Sequence, residues 1–132
     1  MNNSELRAML LDYMEKGFLE NIVDMFTHDE ALYPFIIDMI RDERLRVRLG
    51  GTALVEELAK KRPEPLVRLI PEIAGLLNDG NPTVRGDGAN LLDIIGHPDA
   101  LPFLRAAEND EDGNVRAIVR EAINDIVPNN AN

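Results

Sequence analysis

The stretch that decides the fold is residues 79–104, DGNPTVRGDGANLLDIIGHPDALPFL. Its middle reads as one amphipathic helix, because Val84, Ala89, Leu91, Leu92 and Ile95 fall on one side at helical spacing with polar residues between them. Asn81 is placed to cap its start, and Pro82 suits a first turn. Gly96 offers a left-handed stop, with Pro98 two residues beyond. A second helical segment then begins near Ala100, with Pro102 in its first turn, where a missing N–H costs nothing.

Outward from this stretch the same arrangement recurs. Val47-Arg48, Val84-Arg85 and Val115-Arg116 are separated by 37 and then 31 residues. Pro34, Pro71 and Pro102 keep the same separations, each 13 residues before its Val. Asp42, Asp79 and Asp110 each stand five residues before it. Such a register marks an internal repeat. Each unit reads as a first helix (31–41, 65–77 and 100–108), a polar loop holding the Asp, and a second helix opening near the Val. Pro71 lies deep in its helix and predicts a kink or a late start. The other second helices carry Val47, Leu54, Val55 and Leu58, and Val115, Val119, Ala122, Ile123 and Ile126; Asp112 stands where Asn81 did.

The units expected are 30–62, 63–96 and 97–127. Residues 4–27 are expected to add a diverged capping pair, opened by Ser4 and broken at Gly17, with a second helix over 18–26. Pro128 is expected to end the last helix, leaving 128–132 as a frayed tail. No helix of such a pair can bury its apolar stripe alone, so stacking of pairs supplies the core.

Residues 79–104 resemble the bacterial HEAT-like repeats of the phycobilisome-lyase type. They carry Asp79, Pro82, Val84, Arg85, Ala89, Leu92, Ile95, Gly96, Pro98, Ala100, Leu101, Pro102 and Leu104 in that family's order. The resemblance extends over about 30–127 and is weakest in the first unit, where Thr52 replaces Ala89 and Gly50-Gly51 falls inside a helix. It implies an all-α fold: a short right-handed α-solenoid, or superhelix, of stacked antiparallel HEAT-type helix pairs. It also implies a ladder between neighbouring units, falling here on Asp42/Arg48, Asp79/Arg85 and Asp110/Arg116. Most of the family are scaffolds; some relatives attach bilin pigments and some HEAT-like proteins are DNA repair glycosylases.

Composition narrows the function. Fourteen basic residues face 24 acidic ones, a formal charge of −10, which counts against nucleic-acid and anionic-membrane binding. The exception is 31–62, with seven basic residues, including Arg41, Arg44, Arg46, Arg48 and Lys60, Lys61, Arg62. Without Cys there is no disulfide, thiolate site or cysteine nucleophile. With aromatics at 5% and no Trp, the core must be aliphatic. The N-terminal residues lack a signal-peptide pattern, and no apolar run nears ~20 residues, so a cytoplasmic protein is expected.

No residue set points to catalysis. His28 and His97 have no partner at metal-ligand spacing, and Asp110, Glu111 and Asp112 lack the alternation of a calcium loop. No metal, cofactor or acid–base pair is assigned. Gly51 and Gly88 share one register, which predicts close approach of a neighbouring helix, or alternatively a groove floor.

The expected docking surface is the exposed, concave stripe of the second helices: Arg46, Gly50, Ala53 and Glu57; Thr83, Asp87, Asn90 and Ile94; Asn114, Ile118, Glu121 and Asp125. Ile94 and Ile118 are the apolar members a solvated face would not need. The reading is a non-catalytic protein-binding scaffold. The alternatives are a bilin-lyase-like enzyme or subunit, and nucleic-acid binding through the Arg41–Arg48 cluster. A homodimer through the uncapped C-terminal end is a further expectation.

Overall fold

The computed structural model describes residues 1–129. Every regular element among them is helical: α1 (Asn3–Glu15), α2 (Leu19–His28), α3 (Phe35–Arg41), α4 (Leu45–Lys61), α5 (Glu64–Arg68), α6 (Ile70–Ala74), α7 (Pro82–Ile95), α8 (Leu101–Ala106) and α9 (Gly113–Asn129). Short 3-10 turns at Glu30–Leu32, Gly75–Asn78 and Pro98–Ala100 lead into or out of the shorter helices. The chain divides into two compact units, Met1–Leu66 and the remainder from Val67 on, each with its own core.

In the first unit α4 packs against α1, α2 and α3. Asn2, not Ser4, caps α1, its Oδ1 accepting the Glu5 N–H at 2.8 Å. The chain then reverses at Gly17, whose φ of +86° only glycine adopts without strain. Leu10, Ile22, Phe26, Ile36, Met39, Ile40, Val47, Leu54 and Leu58 are sealed from solvent. Each stabilises the unit by about 1.5–3 kcal/mol against exposure. Tyr33 is the one buried side chain in this core with a hydroxyl, and it donates to the Arg62 carbonyl at 2.9 Å. Arg62 in turn donates through Nη1 to the Thr27 carbonyl at 2.7 Å, tying the end of α4 to the end of α2.

In the second unit α7 packs against α6, the Gly75–Asn78 turn and α9, while α8 packs on α9. The first helix expected over 65–77, with a kink or late start at Pro71, is broken into α5, α6 and a 3-10 turn. Pro71 is the second residue of α6, so its missing N–H falls in a first turn. The other punctuation is as the sequence predicts. Asn81 Oδ1 accepts the Thr83 N–H at 2.9 Å, Pro82 opens α7, and Gly96 closes it at φ +66°. Pro128 does not end α9, which runs to Asn129; a proline so near a terminus forfeits a single backbone bond. Residues 130–132 of the expected tail lie outside the described residues.

The shared glycine register has a packing cause. A Cβ on Gly51 would stand 3.0 Å from Met39 Cβ, and one on Gly88 would stand 2.7 Å from Leu76 Cβ. Gly51 thus meets α3, and Gly88 meets the 3-10 turn that follows α6. A Cβ on Gly50 would overlap the Met14 side chain of α1.

The repeated Asp and Arg do the same work in all three loops. Asp42, Asp79 and Asp110 each accept, through Oδ1, the N–H two residues on, at 2.9 Å in every case. Arg48, Arg85 and Arg116 donate through Nη1 to the carbonyls of those same aspartates, at 3.4, 2.9 and 2.7 Å. The expected carboxylate partner needs correction for Arg85: its Nε and Nη2 grip Asp110, the next repeat's aspartate, at 3.0 and 3.1 Å. Asp79 receives Arg85 only at its carbonyl. Asp42 is held by Arg44 of its own loop, Nε to Oδ1 at 2.9 Å. The Asp112 amide and then Arg85 hold the Asp110 carboxyl below the usual carboxylate range.

Two predictions follow from this packing. Gly88→Ala should destabilise by about 1–3 kcal/mol, because the new methyl meets a Cβ that cannot swing away. Gly75→Ala, with open space around it, should be neutral or stabilise by up to about 1 kcal/mol. Chemical denaturation of the two variants checks the contrast. Arg85→Met should lower Tm by several degrees at pH 7 and by less at pH 2, where only the bond to the Asp79 carbonyl is left to lose. The lowered Asp110 pKa makes its contribution full above the ordinary carboxylate value and lost as pH falls through the folded one. Thermal melts at the two pH values read it.

Candidate functional site

The second helices of the second unit lie side by side and run the same way. Gly86 meets Ile118 near both N-termini, and Asp93 meets Asp125 in both C-terminal halves. At the N-terminal end of this seam is a groove of about 190 Å³, bounded by Pro82, Thr83, Gly86 and Asp87 on one side and Asp112, Asn114, Val115 and Ile118 on the other. Asp112 is fixed there by helix capping, its Oδ1 accepting the N–H groups of Asn114 and Val115 at 2.9 and 3.0 Å.

Four residues of the stripe expected from sequence, Thr83, Asp87, Asn114 and Ile118, therefore meet around one groove. Asn90 and Ile94 lie about one and two turns farther along α7, and Glu121 one turn beyond Ile118 on α9. Ile94 and Ile118 are half-buried, so neither is the free surface isoleucine that the stripe assumed. Gly86 explains Ile118. A Cβ there would stand 3.1 Å from Ile118 Cδ1, so the side chain occupies room that the glycine leaves open.

The sequence stripe missed Asp93, nine residues after Val84 and just off the counted face. Burial, then a hydrogen bond that its protonated carboxyl donates to Asp125, then the charges of Asp125 and Glu121 push its carboxyl up to about 6. The usable signal was its register: Asp93 and Asp125 stand nine and ten residues after their valines, on helices that pack together. The seam thus has a groove at one end and three crowded carboxylates at the other.

The remaining stripe residues belong to the first unit. Glu57 stands 4.0 Å from Lys61, and both line a cleft of about 510 Å³ with Leu19, Glu20, Val23, Asp24 and Thr27. Arg46 donates to the Glu15 carbonyl at 3.3 Å. Its neighbours are similarly engaged: Arg44 with Asp12 and Asp42, Arg48 with the Asp42 and Glu43 carbonyls, and Arg62 with Glu30. Arg44, Arg46, Arg48 and Arg62 therefore each bind acidic groups or carbonyls of their own unit. Sequence reading also missed Leu45 and Leu49, which stand 59% and 60% exposed on one side of α4.

Both histidines have local partners. His97 Nδ1 accepts the Asp99 N–H at 3.1 Å, and His28 Nδ1 lies 2.8 Å from the Asp24 carbonyl. Among the described residues no group of three His, Cys, Asp or Glu is arranged to hold a metal ion, and no helix is long and apolar enough to cross a membrane.

The crowding at Asp93 sets a pH dependence. Its folded pKa lies above the unfolded value, so the folded state binds the proton more tightly and stability falls as pH rises from about 4 through 6. Asp93→Asn should raise stability at pH 7.5 by about 1 kcal/mol after solvent screening, and leave it unchanged near pH 4. Denaturation curves across that range check it.

No curated protein matches the chain. A family model described as HEAT repeats matches residues 33–124, well over half the sequence. Those residues hold the three loops with their common Asp and Arg bonds, and the helix pairs that the loops join. The chain belongs to the HEAT-repeat family.

Proposed function

We propose that this protein is a non-catalytic protein-binding scaffold whose partner docks on the exposed stripe of the second helices α7 and α9. The observation that carries the reading is the α7–α9 seam, where Thr83, Asp87, Asn114 and Ile118 surround one groove on a rigid, well-packed support. A site built on helices holds its geometry better than one built on loops. The family match supports the same reading, since HEAT repeats commonly serve as interaction scaffolds.

The test is affinity capture from the native lysate by wild type and by Asp87→Lys/Glu121→Lys, followed by direct binding of the purified captured protein. Circular dichroism verifies that the variant is folded. Retention by wild type and at least tenfold weaker binding by the variant is the expected result. Equal binding of the purified partner by both proteins would remove the seam as the docking face.

A further inference from the structure

The geometry points to a carboxylate-binding edge on Arg116, which takes a loop aspartate of another protein in the two-point grip that Arg85 already makes within this chain. Arg116 lines no part of the seam groove, so this contact stands apart from the docking stripe. Three observations carry it.

The first is a guanidinium with one side open. Arg85 and Arg116 stand in the same register, each directly after its repeat valine. Both use Nη1 alike, donating to the carbonyl of their loop aspartate at 2.9 and 2.7 Å. Arg85 then places Nε and Nη2 on the Asp110 carboxylate, at 3.0 and 3.1 Å, and is 8% exposed. Arg116 adds only a second Nη1 bond, to the Glu111 carbonyl at 3.2 Å. Its Nε and Nη2 have no partner among the described residues. Both nitrogens reach solvent, since the buried side-chain polar atom that lacks a partner among those residues is Glu15 Oε2.

The second is the ligand that fits this edge. Nε and Nη2 of a guanidinium are two parallel donors, matched to the two oxygens of a carboxylate. With Nη1 tied to its own loop, the edge of Arg116 is held in place before a partner arrives, which lowers the cost of binding. The same edge of Arg85 receives an aspartate whose Oδ1 also accepts the amide two residues on, so the template is a carboxylate in a turn. Arg120, one turn farther along α9, brings a second guanidinium to this loop, its Nη2 3.3 Å from Asn109 Oδ1.

The third is that the carboxylates at hand are taken. Asp110 is gripped by Arg85, Asp112 caps α9 through Oδ1, and Glu111 approaches Arg85 Nη2 at 3.9 Å. A second copy is no better supplied. Its Asp42 is held through both oxygens by Arg44, at 2.9 and 3.2 Å, its Asp110 by Arg85, and its Asp79 is not free either. The occupant is therefore a loop aspartate of a different protein.

The probe is an acetylated and amidated Asn-Asp-Gly-Asn peptide, the chain's own loop sequence over 78–81, beside a twin with Ala in place of its Asp. Each is titrated to about 20 mM against the full chain at about 150 mM salt, where the field of distant charges is screened within roughly 8 Å. The readout is the NMR signal of the Arg116 Nε–H, assigned by its loss in Arg116→Lys. A saturable shift with the aspartate peptide is expected, at least about fivefold weaker with the twin. Arg120→Glu sets a carboxylate one turn from Arg116 and should suppress the shift about fivefold or more, circular dichroism verifying that the variant is folded. Lys60→Glu makes the same change of net charge on α4 and should alter affinity less than about twofold. Equal weakening by the two variants would reduce the effect to net charge and overturn the proposal. No shift, or equal shifts with both peptides, would overturn it too. Inorganic phosphate shifting the signal as strongly at equal concentration would make the edge a general anion contact and sink the aspartate assignment. A shift that grows with chain concentration in the absence of peptide would give the edge to a second copy instead.

Discussion

Each helix pair turns on the same few bonds. An aspartate carboxylate accepts the amide two residues on, and the arginine six residues on returns to that aspartate's own carbonyl. The first bond bends the chain out of one helix, and the second pins the start of the next helix to that bend. The angle at which the second helix leaves then follows from a closed ring of hydrogen bonds, not from loop length alone. That angle brings Val47, Val84 and Val115 inward, and everything downstream depends on it: the burial of the apolar stripe and the outward direction of the opposite face. Arg85 adds a second duty by gripping Asp110, so one guanidinium fixes two successive loops.

How closely the two helices of a pair then approach is decided by what is absent. Gly51 and Gly88 sit four residues after their valines, where the second helix crosses Met39 of α3 and Leu76 of the 3-10 turn after α6. Glycine within a helix costs about 1 kcal/mol against alanine. Contact between backbone and side chain over the crossing offsets that cost through dispersion and exclusion of water. A chain poor in aromatics gains particularly from this, because its aliphatic core has small side chains that fill only a thin layer.

Much of this was legible in the sequence because it repeats. The spacing of Val, Pro and Asp located the loops, and the local chemistry of Asn81, Pro82, Gly96 and Asp112 located helix ends that the structure reproduces. The misreadings share a cause, which is that sequence spacing carries no depth. Residues 65–77 read as one helix disturbed at Pro71, and the disturbance goes further than a kink, because Pro71 takes a fresh first turn and the segment breaks at Leu69. The ladder that the resemblance implies does link successive loops, but through Arg85 and Asp110 and not through Asp79 and Arg85, because the long guanidinium reaches past its own loop. Ile118 was counted as surface because its register is outward; the space left by Gly86 on another helix draws it half inside. Asp93 was missed for the complementary reason, since its raised pKa comes first from burial and then from Asp125 and Glu121, which only tertiary packing brings near.

The Gly86–Ile118 contact separates two properties of the seam that usually change together. The depth of the groove is set by a residue without a side chain facing an isoleucine tip, and the sign of its rim is set by Asp87 and Asp112 on either side. Exchanging a methyl or two at the floor would alter which shapes enter without touching the charge. Exchanging a carboxylate for an amide at the rim would alter which charges are welcome without touching the shape. For a partner docked there as proposed, fit and charge could therefore change along two independent axes, one substitution at a time, while the loops that hold the helices in place stay as they are.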